Sequence, residues 1–398
     1  MHGLDDSLWR TRPAPEPQGH GCGAQMIAAT VAFETMLDGQ DREGAIALAR
    51  FALDGDRLWT VDSGLFWVVA AVVRMLADDD LGDFWSRARA EAHARGSLFA
   101  AMSTSVWQGF WHLRRGELNE SMACSTVALD QDRMWGGAGV GEAYTRAFQI
   151  SSLLDRGDVA TARGVADAAL AVPSAGEGGR LLHQAVARLL VAEGRYDEAL
   201  TALDAAIAAT PILNPVWNPW RSITATALHG LGRTPEAVTL VEEEVALLRR
   251  WGAPTYLGSA LLLLGELRGG PGVGHLREAV TLLAPTPAAV ELARARCALG
   301  SSPDVPDVEA LPLLEAASEA AHARGALGIR DQARAALERR GHPADRRHDD
   351  IRWVSSTERM ILDLSATGLG IHEVAQRLLL TPGTVRAALE AEGSQALS

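Results

Sequence analysis

Apolar residues recur along this chain at helical spacing, in stretches that end at a glycine and are followed by a second stretch of the same kind, as in the segment RYDEALTALDAAIA after Gly194. Aligning the glycines exposes a repeat. Gly116, Gly157, Gly194, Gly232 and Gly274 each stand five positions before a small residue, Ser121, Ala162, Ala199, Ala237 and Ala279, at spacings of 41, 37, 38 and 42. Gly39 starts the same pattern with Gly44, 77 residues before Gly116, so a degenerate copy is expected near Asp78–Asp83. Each unit predicts two helices joined at a glycine, with the small residue at a close helix crossing. One such pair cannot bury its apolar face alone. The copies are therefore expected to stack into a superhelix with a concave inner face, giving an all-α fold.

The last 46 residues carry a different pattern. Ser355-Ser356-Thr357-Glu358 has capping-box spacing and predicts a helix start, Ile361 and Leu364 supply its buried face, and Gly368 stands where a left-handed C-cap is needed. Residues 371–378 predict a second short helix with Ile371, Val374, Ala375 and Leu378 inward. Thr381 as N-cap and Pro382 at N1 open a third, in which Val385 and Leu389 face the core and Gly383, Thr384, Arg386, Ala387 and Glu390 face outward. Three such helices at this spacing predict a helix-turn-helix, whose third helix would enter the major groove.

The stretch from Val354 to Leu389 resembles the LuxR-type DNA-binding domain, with Glu358, Ile361-Leu362, Leu364, Gly368, Glu373-Val374-Ala375, Leu378, Thr381-Pro382 and Thr384-Val385-Arg386 at that family's spacings. The repeats resemble tetratricopeptide repeats of lengthened period, like the helical region of large MalT-like regulators of the LuxR type, here without the N-terminal ATPase. The resemblance implies a transcriptional regulator with no cofactor of its own. Its partners would be double-stranded DNA, contacted through Thr381, Gly383, Thr384, Arg386 and Ala387, a small-molecule effector or protein partner on the repeats, and a second copy in a homodimer. The expected domains are a leader over 1–25, repeats over 26–340, a linker over 341–352 and the helix-turn-helix over 353–398.

Charge complicates this picture. From Arg352 onward four arginines face five acids, Ala388 stands where the family has a second basic side chain, and Glu390 and Glu392 fall where phosphates would lie. Phosphate neutralisation supplies most sequence-independent affinity, so the domain alone is expected to bind weakly. A terminal bundle that has lost DNA binding, on a repeat protein that sequesters a small molecule or a protein, is the alternative. Residues 321–352 reverse the balance, with eight arginines against five acids, and Arg339, Arg340, Arg346 and Arg347 are candidates for the missing phosphate contacts or for an ordinary exposed hinge.

Composition narrows the remaining chemistry. The chain of 398 residues is 47% apolar with a net charge of −13, which predicts a helical body with ample core and no overall nucleic-acid surface. It has no lysine, so a Walker A loop and Schiff-base catalysis are excluded. Three cysteines without CxxC spacing, no apolar run long enough for a membrane span and no secretory leader predict a cytoplasmic protein. No HExxH, GxSxG or paired metal spacing occurs, so no enzyme activity and no metal are expected. Six of the eleven tryptophans fall between Trp59 and Trp135. Trp67, Trp107, Phe110, Trp111 and Trp135 are thus candidates to line a ligand groove, with packing between helix pairs as the competing role. The proline-rich Asn214–Arg221 cluster reads as a connector between repeats.

Overall fold

A computed structural model describes residues 19–61, 64–137, 141–174, 176–207, 213–342 and 354–393, and among these every regular element is helical. Helices α1 (Cys22–Asp38), α2 (Arg42–Leu53), α3 (Arg57–Val61), α4 (Phe66–Leu76), α5 (Phe84–Ala94), α6 (Leu98–Arg114), α7 (Leu118–Met134), α8 (Glu142–Arg156) and α9 (Val159–Leu170) form the first half of the body. The second half comprises α10 (Gly176–Ala192), α11 (Tyr196–Ile207), α12 (Trp220–Gly230), α13 (Thr234–Trp251), α14 (Pro254–Arg268), α15 (Val273–Leu283), α16 (Ala289–Ser301), α17 (Asp307–Arg324) and α18 (Leu327–Arg339). Each packs on its sequence neighbour and most touch the helix after that, the pattern of stacked pairs. A terminal bundle follows: α19 (Ser356–Ala366), α20 (Ile371–Leu378) and α21 (Pro382–Gly393).

The repeat glycines make the turns. Gly39, Gly116, Gly157, Gly194 and Gly232 all have positive φ, which lets the chain reverse between helices at no steric cost. Ser121, Ala162, Ala199, Ala237 and Ala279 are each fully buried, as a close crossing requires. Two copies depart from the expected register. Gly274 lies inside α15, and the left-handed glycine of that unit is Gly269. In the first copy the fully buried small residue is Ala45, one position after Gly44. The degenerate copy turns on Asp78 and Gly82, both at φ 53°. Helix α1 begins at Cys22, within the stretch expected as leader; residues 1–18 lie outside the described residues, as does most of the expected linker.

The chain winds back on itself at a nearly constant separation. Asn214 donates from Nδ2 to the Met36 carbonyl (2.7 Å), Trp251 from Nε1 to the Leu76 carbonyl (3.1 Å), and Thr255 from its backbone N–H to Asp78 (2.7 Å), at separations of 178, 175 and 177 residues. Further along, a Cβ on Gly116 would lie 2.7 Å from the Val290 nitrogen, and Gly157 packs against Gly328. The first and second halves are thereby closed onto each other. Seven helices, α6, α8, α10, α12, α13, α14 and α16, enclose the space between them.

At the α6–α7 corner, burial opposes charging of His112, but hydrogen bonds to Cys124 and Glu117 outweigh it and raise the pKa to about 9. Nδ1 of His112 lies 2.6 Å from Glu117, which also pairs with Arg115 and Arg324. The folded pKa exceeds the unfolded value of 6.5, so this stabilisation is complete below pH 6.5 and is lost as pH rises through about 9. The expected loss is about 1.5–3 kcal/mol, the range for a hydrogen bond to a charged group. Melting temperature measured from pH 6 to 10 should fall more steeply for the wild type than for His112→Asn; parallel curves would remove the pair from the account.

Candidate nucleic-acid interface and central cavity

The terminal bundle is built on a small apolar centre. Ile361, Val374, Ala375, Leu380 and Val385 are buried together, with Leu364, Ile371, Leu378, Ala388 and Leu389 around them. Ser355 accepts from the Glu358 N–H while Glu358 accepts from the Ser355 N–H (2.8 Å), which closes the capping box of α19. Glu373 caps the N-terminus of α20 from within its first turn, at 2.8 Å from the Gly370 nitrogen. Leu379, at φ 51°, turns the chain between α20 and α21, and the Leu380 N–H returns to the Ala375 carbonyl. Thr381 then accepts from the Thr384 N–H at the start of α21. Val385 points into the centre, and Gly383, Arg386, Ala387 and Glu390 are exposed.

What spacing could not reveal is that this bundle lies against the repeats. The buried carboxylate of Asp130 on α7 accepts from the Thr381 N–H (2.6 Å) and the Thr381 hydroxyl (2.9 Å). Gln131 donates to the Leu379 carbonyl (3.3 Å), Glu120 accepts from the Ser356 N–H (2.9 and 3.1 Å), and Val127 packs on the bundle's apolar centre. Helix α7 therefore places a carboxylate at the N-termini of α19 and α21, where unpaired N–H groups and the helix dipole favour negative charge. A cleft of about 860 Å³ remains between α7 and the bundle. Thr381, Gly383, Thr384 and Ala387 line it, facing Asn119, Thr126, Asp130 and Arg133. The side of α21 that carries Gly383, Thr384 and Ala387 is thus turned toward α7.

Of the other residues with an expected DNA role, Arg346 and Arg347 lie outside the described residues. Arg340 is committed to the body: it donates to the carbonyls of Gly300 (3.1 Å), Ser302 (2.6 Å) and Val305 (3.2 Å) and pairs with Asp307, closing the end of α16. Arg339 is exposed at the end of α18.

The second feature is the cavity between the two halves of the body, about 450 Å³ in volume. The five aromatic candidates are not gathered around it. Phe110 lines it, stacked on Phe148 at 4.8 Å. Trp107 stands behind that wall, stacked on Trp217 at 6.2 Å. Trp67 is core, 2% exposed beside Phe84, while Trp111 carries the Arg115 guanidinium on its ring (4.5 Å) and Trp135 is exposed against Phe99. The connector Asn214–Arg221, by contrast, contributes Pro215, Val216, Trp217 and Pro219 directly to the cavity wall. Trp217 is fixed there by an N–H bond to Glu177 (3.0 Å).

The polar wall of the cavity was not foreseen. Arg114, Arg188, Arg294, Asp155, Glu244, Glu266 and Glu291 all face it. Arg294 pairs with Glu291 (3.0 Å) and Asp155 (3.1 Å), and Arg188 reaches Asp155 (3.3 Å). Burial resists ionisation of Glu291, yet Arg294 and Arg114 beside it hold the carboxyl below its usual range. Glu244 accepts from the Ser222 N–H (2.8 Å) and hydroxyl (2.6 Å), and burial pushes its pKa up. Glu266 is open to the cavity but ringed by protein, and removal from bulk water raises its pKa as well. No single-sequence signal marks these groups, because they lie on six helices up to about 180 residues apart.

Among the described residues no group of histidine, cysteine and carboxylate side chains could hold a metal ion, and no helix is long and apolar enough to cross a membrane. Neither a scan against protein-family models nor a search of curated proteins finds a match.

Proposed function

We propose that this chain is a cytoplasmic transcription regulator in which stacked helix pairs sense a ligand or a protein partner and the terminal bundle reads double-stranded DNA. The observation that carries the reading is the local geometry around Leu379: two short helices joined by a left-handed turn over a shared apolar centre, with Arg386 exposed on the second. A helix held this way can be inserted N-terminus first into a major groove, with Arg386 reaching a guanine edge or a phosphate. The docked arrangement is then a resting state. Thr381, Gly383, Thr384 and Ala387 would contact DNA, and they line the cleft against α7, so reading requires the bundle to leave Asp130 and Glu120. Those carboxylates occupy the helix N-termini that phosphates would otherwise take.

Selection of duplexes from a random library by the purified protein, at low and at physiological salt, tests the reading. An enriched motif whose binding is lost in Arg386→Ala is the expected result. The second reading, a sequestering protein with a bundle that no longer reads DNA, draws on the excess of acids in the terminal segment. It predicts no enrichment at any salt, even when Asp130 is removed.

A further inference from the structure

Most of the charges of the central cavity are engaged with one another or with a hydroxyl. Asp155 and Glu291 are taken by Arg188 and Arg294, and Glu244 by Ser222. Glu266 stands ten residues from Tyr256 on α14, about 15 Å along the helix. Desolvation raises its pKa, while Arg294 nearby acts in the opposite sense. Burial opposes the charge of Arg114, while Tyr256, Glu291, Asp78 and Asp155 around it favour that charge. Arg114 closes α6 with its guanidinium over the Tyr256 ring at 4.2 Å, and its Nε and Nη2 are buried without a hydrogen-bond acceptor. A guanidinium in such a site stays charged, and buried N–H donors left without an acceptor carry the cost of their lost hydration. Two adjacent unused N–H donors have the fork geometry that a carboxylate matches with two parallel bonds. Beside them the wall is apolar and aromatic: Phe110, Phe148, Leu181, Trp217 and Leu263. The volume lies in the range of small-molecule pockets, about 300–1,000 Å³.

We propose that the cavity is a binding site for a small amphipathic carboxylate, its charged end on Arg114 and its apolar body against Phe110, Phe148 and Trp217. The proposal rests on the reading that the repeats sense a ligand, and it names the chemistry of that ligand. It does not require DNA, so the two can fail separately.

Three isosteric probes test it on the full chain: 4-phenylbutyrate, 4-phenylbutan-1-ol and 4-phenylbutylammonium. Binding is read by quenching of tryptophan fluorescence, to which Trp217 contributes from the wall, and by the rise in melting temperature. The carboxylate should bind at least about tenfold more tightly than the alcohol, a difference of about 1.4 kcal/mol, and the ammonium should not bind. Arg114→Gln should erase the preference for the carboxylate while leaving the alcohol's affinity in place, and Arg114→Lys should restore part of it. Equal binding of carboxylate and alcohol, tighter binding of the ammonium, or no binding of the carboxylate by the wild type would overturn the proposal, as would a preference that survives in Arg114→Gln. Should Arg114→Gln fail to fold, the wild-type series and Arg114→Lys still decide.

Discussion

Val385→Asp is expected to abolish DNA binding and to melt the terminal bundle while the repeats unfold at the wild-type temperature. Val385 is fully buried among only four other buried residues, Ile361, Val374, Ala375 and Leu380. Burying an unpaired carboxylate costs several kcal/mol, more than a three-helix unit of this size can supply from its own apolar centre. The body has its own cores and meets the bundle's apolar centre at its edge through Val127, beside the polar contacts of Asp130, Gln131 and Glu120. Limited proteolysis should therefore remove the chain beyond α18 from the variant and leave a stable helical fragment. A variant that resists cleavage and keeps the bundle's helicity would show that α7 holds the bundle together, and the bundle could not then act as a separable reader.

Asp130→Ala is expected to act in the opposite direction, raising affinity for DNA. Its carboxylate binds the backbone and hydroxyl of Thr381 at the head of α21. Each such bond to a charged group contributes about 1.5–3 kcal/mol, so losing even one should shift the docked–undocked equilibrium about tenfold toward the free bundle. Apparent affinity rises by the same factor for as long as docking limits binding. Part of the effect is offset within α7, because Asp130 also pairs with Arg133 (3.1 Å). Measured melting of the body should therefore drop slightly while affinity for a selected duplex rises. Unchanged affinity would mean that the α7 contact does not compete with DNA.

Much of this architecture is legible from local pattern. A glycine that ends a helix and a small residue five positions on are local requirements, and they located five left-handed turns and five fully buried crossings. The capping residues of the bundle are equally local: Ser355, Glu358 and Thr381 each act within three positions of themselves. Where the pattern misplaced a residue, a neighbouring one could do the same work, as when Gly269 takes the turn assigned to Gly274. The cavity was illegible for a different reason. Its walls meet because the winding returns Leu76 to Trp251 and Gly116 to Val290, and no local spacing encodes that return. Tryptophan density pointed to residues 59–135, whereas the indole on the wall is Trp217, in a segment whose prolines marked it as a connector. Arg340 carried the charge expected of a phosphate contact, but its guanidinium is used on three carbonyls of the preceding repeat.

The central claim is that α21 reads DNA through Arg386 once the bundle leaves α7. Fluorescence anisotropy with a selected duplex, at fixed salt, tests it most directly in three proteins: wild type, Asp130→Ala, and Asp130→Ala combined with Arg386→Ala. The account predicts that the single variant binds about tenfold more tightly than wild type and that adding Arg386→Ala removes specific binding altogether. Equal affinities in all three proteins would contradict it.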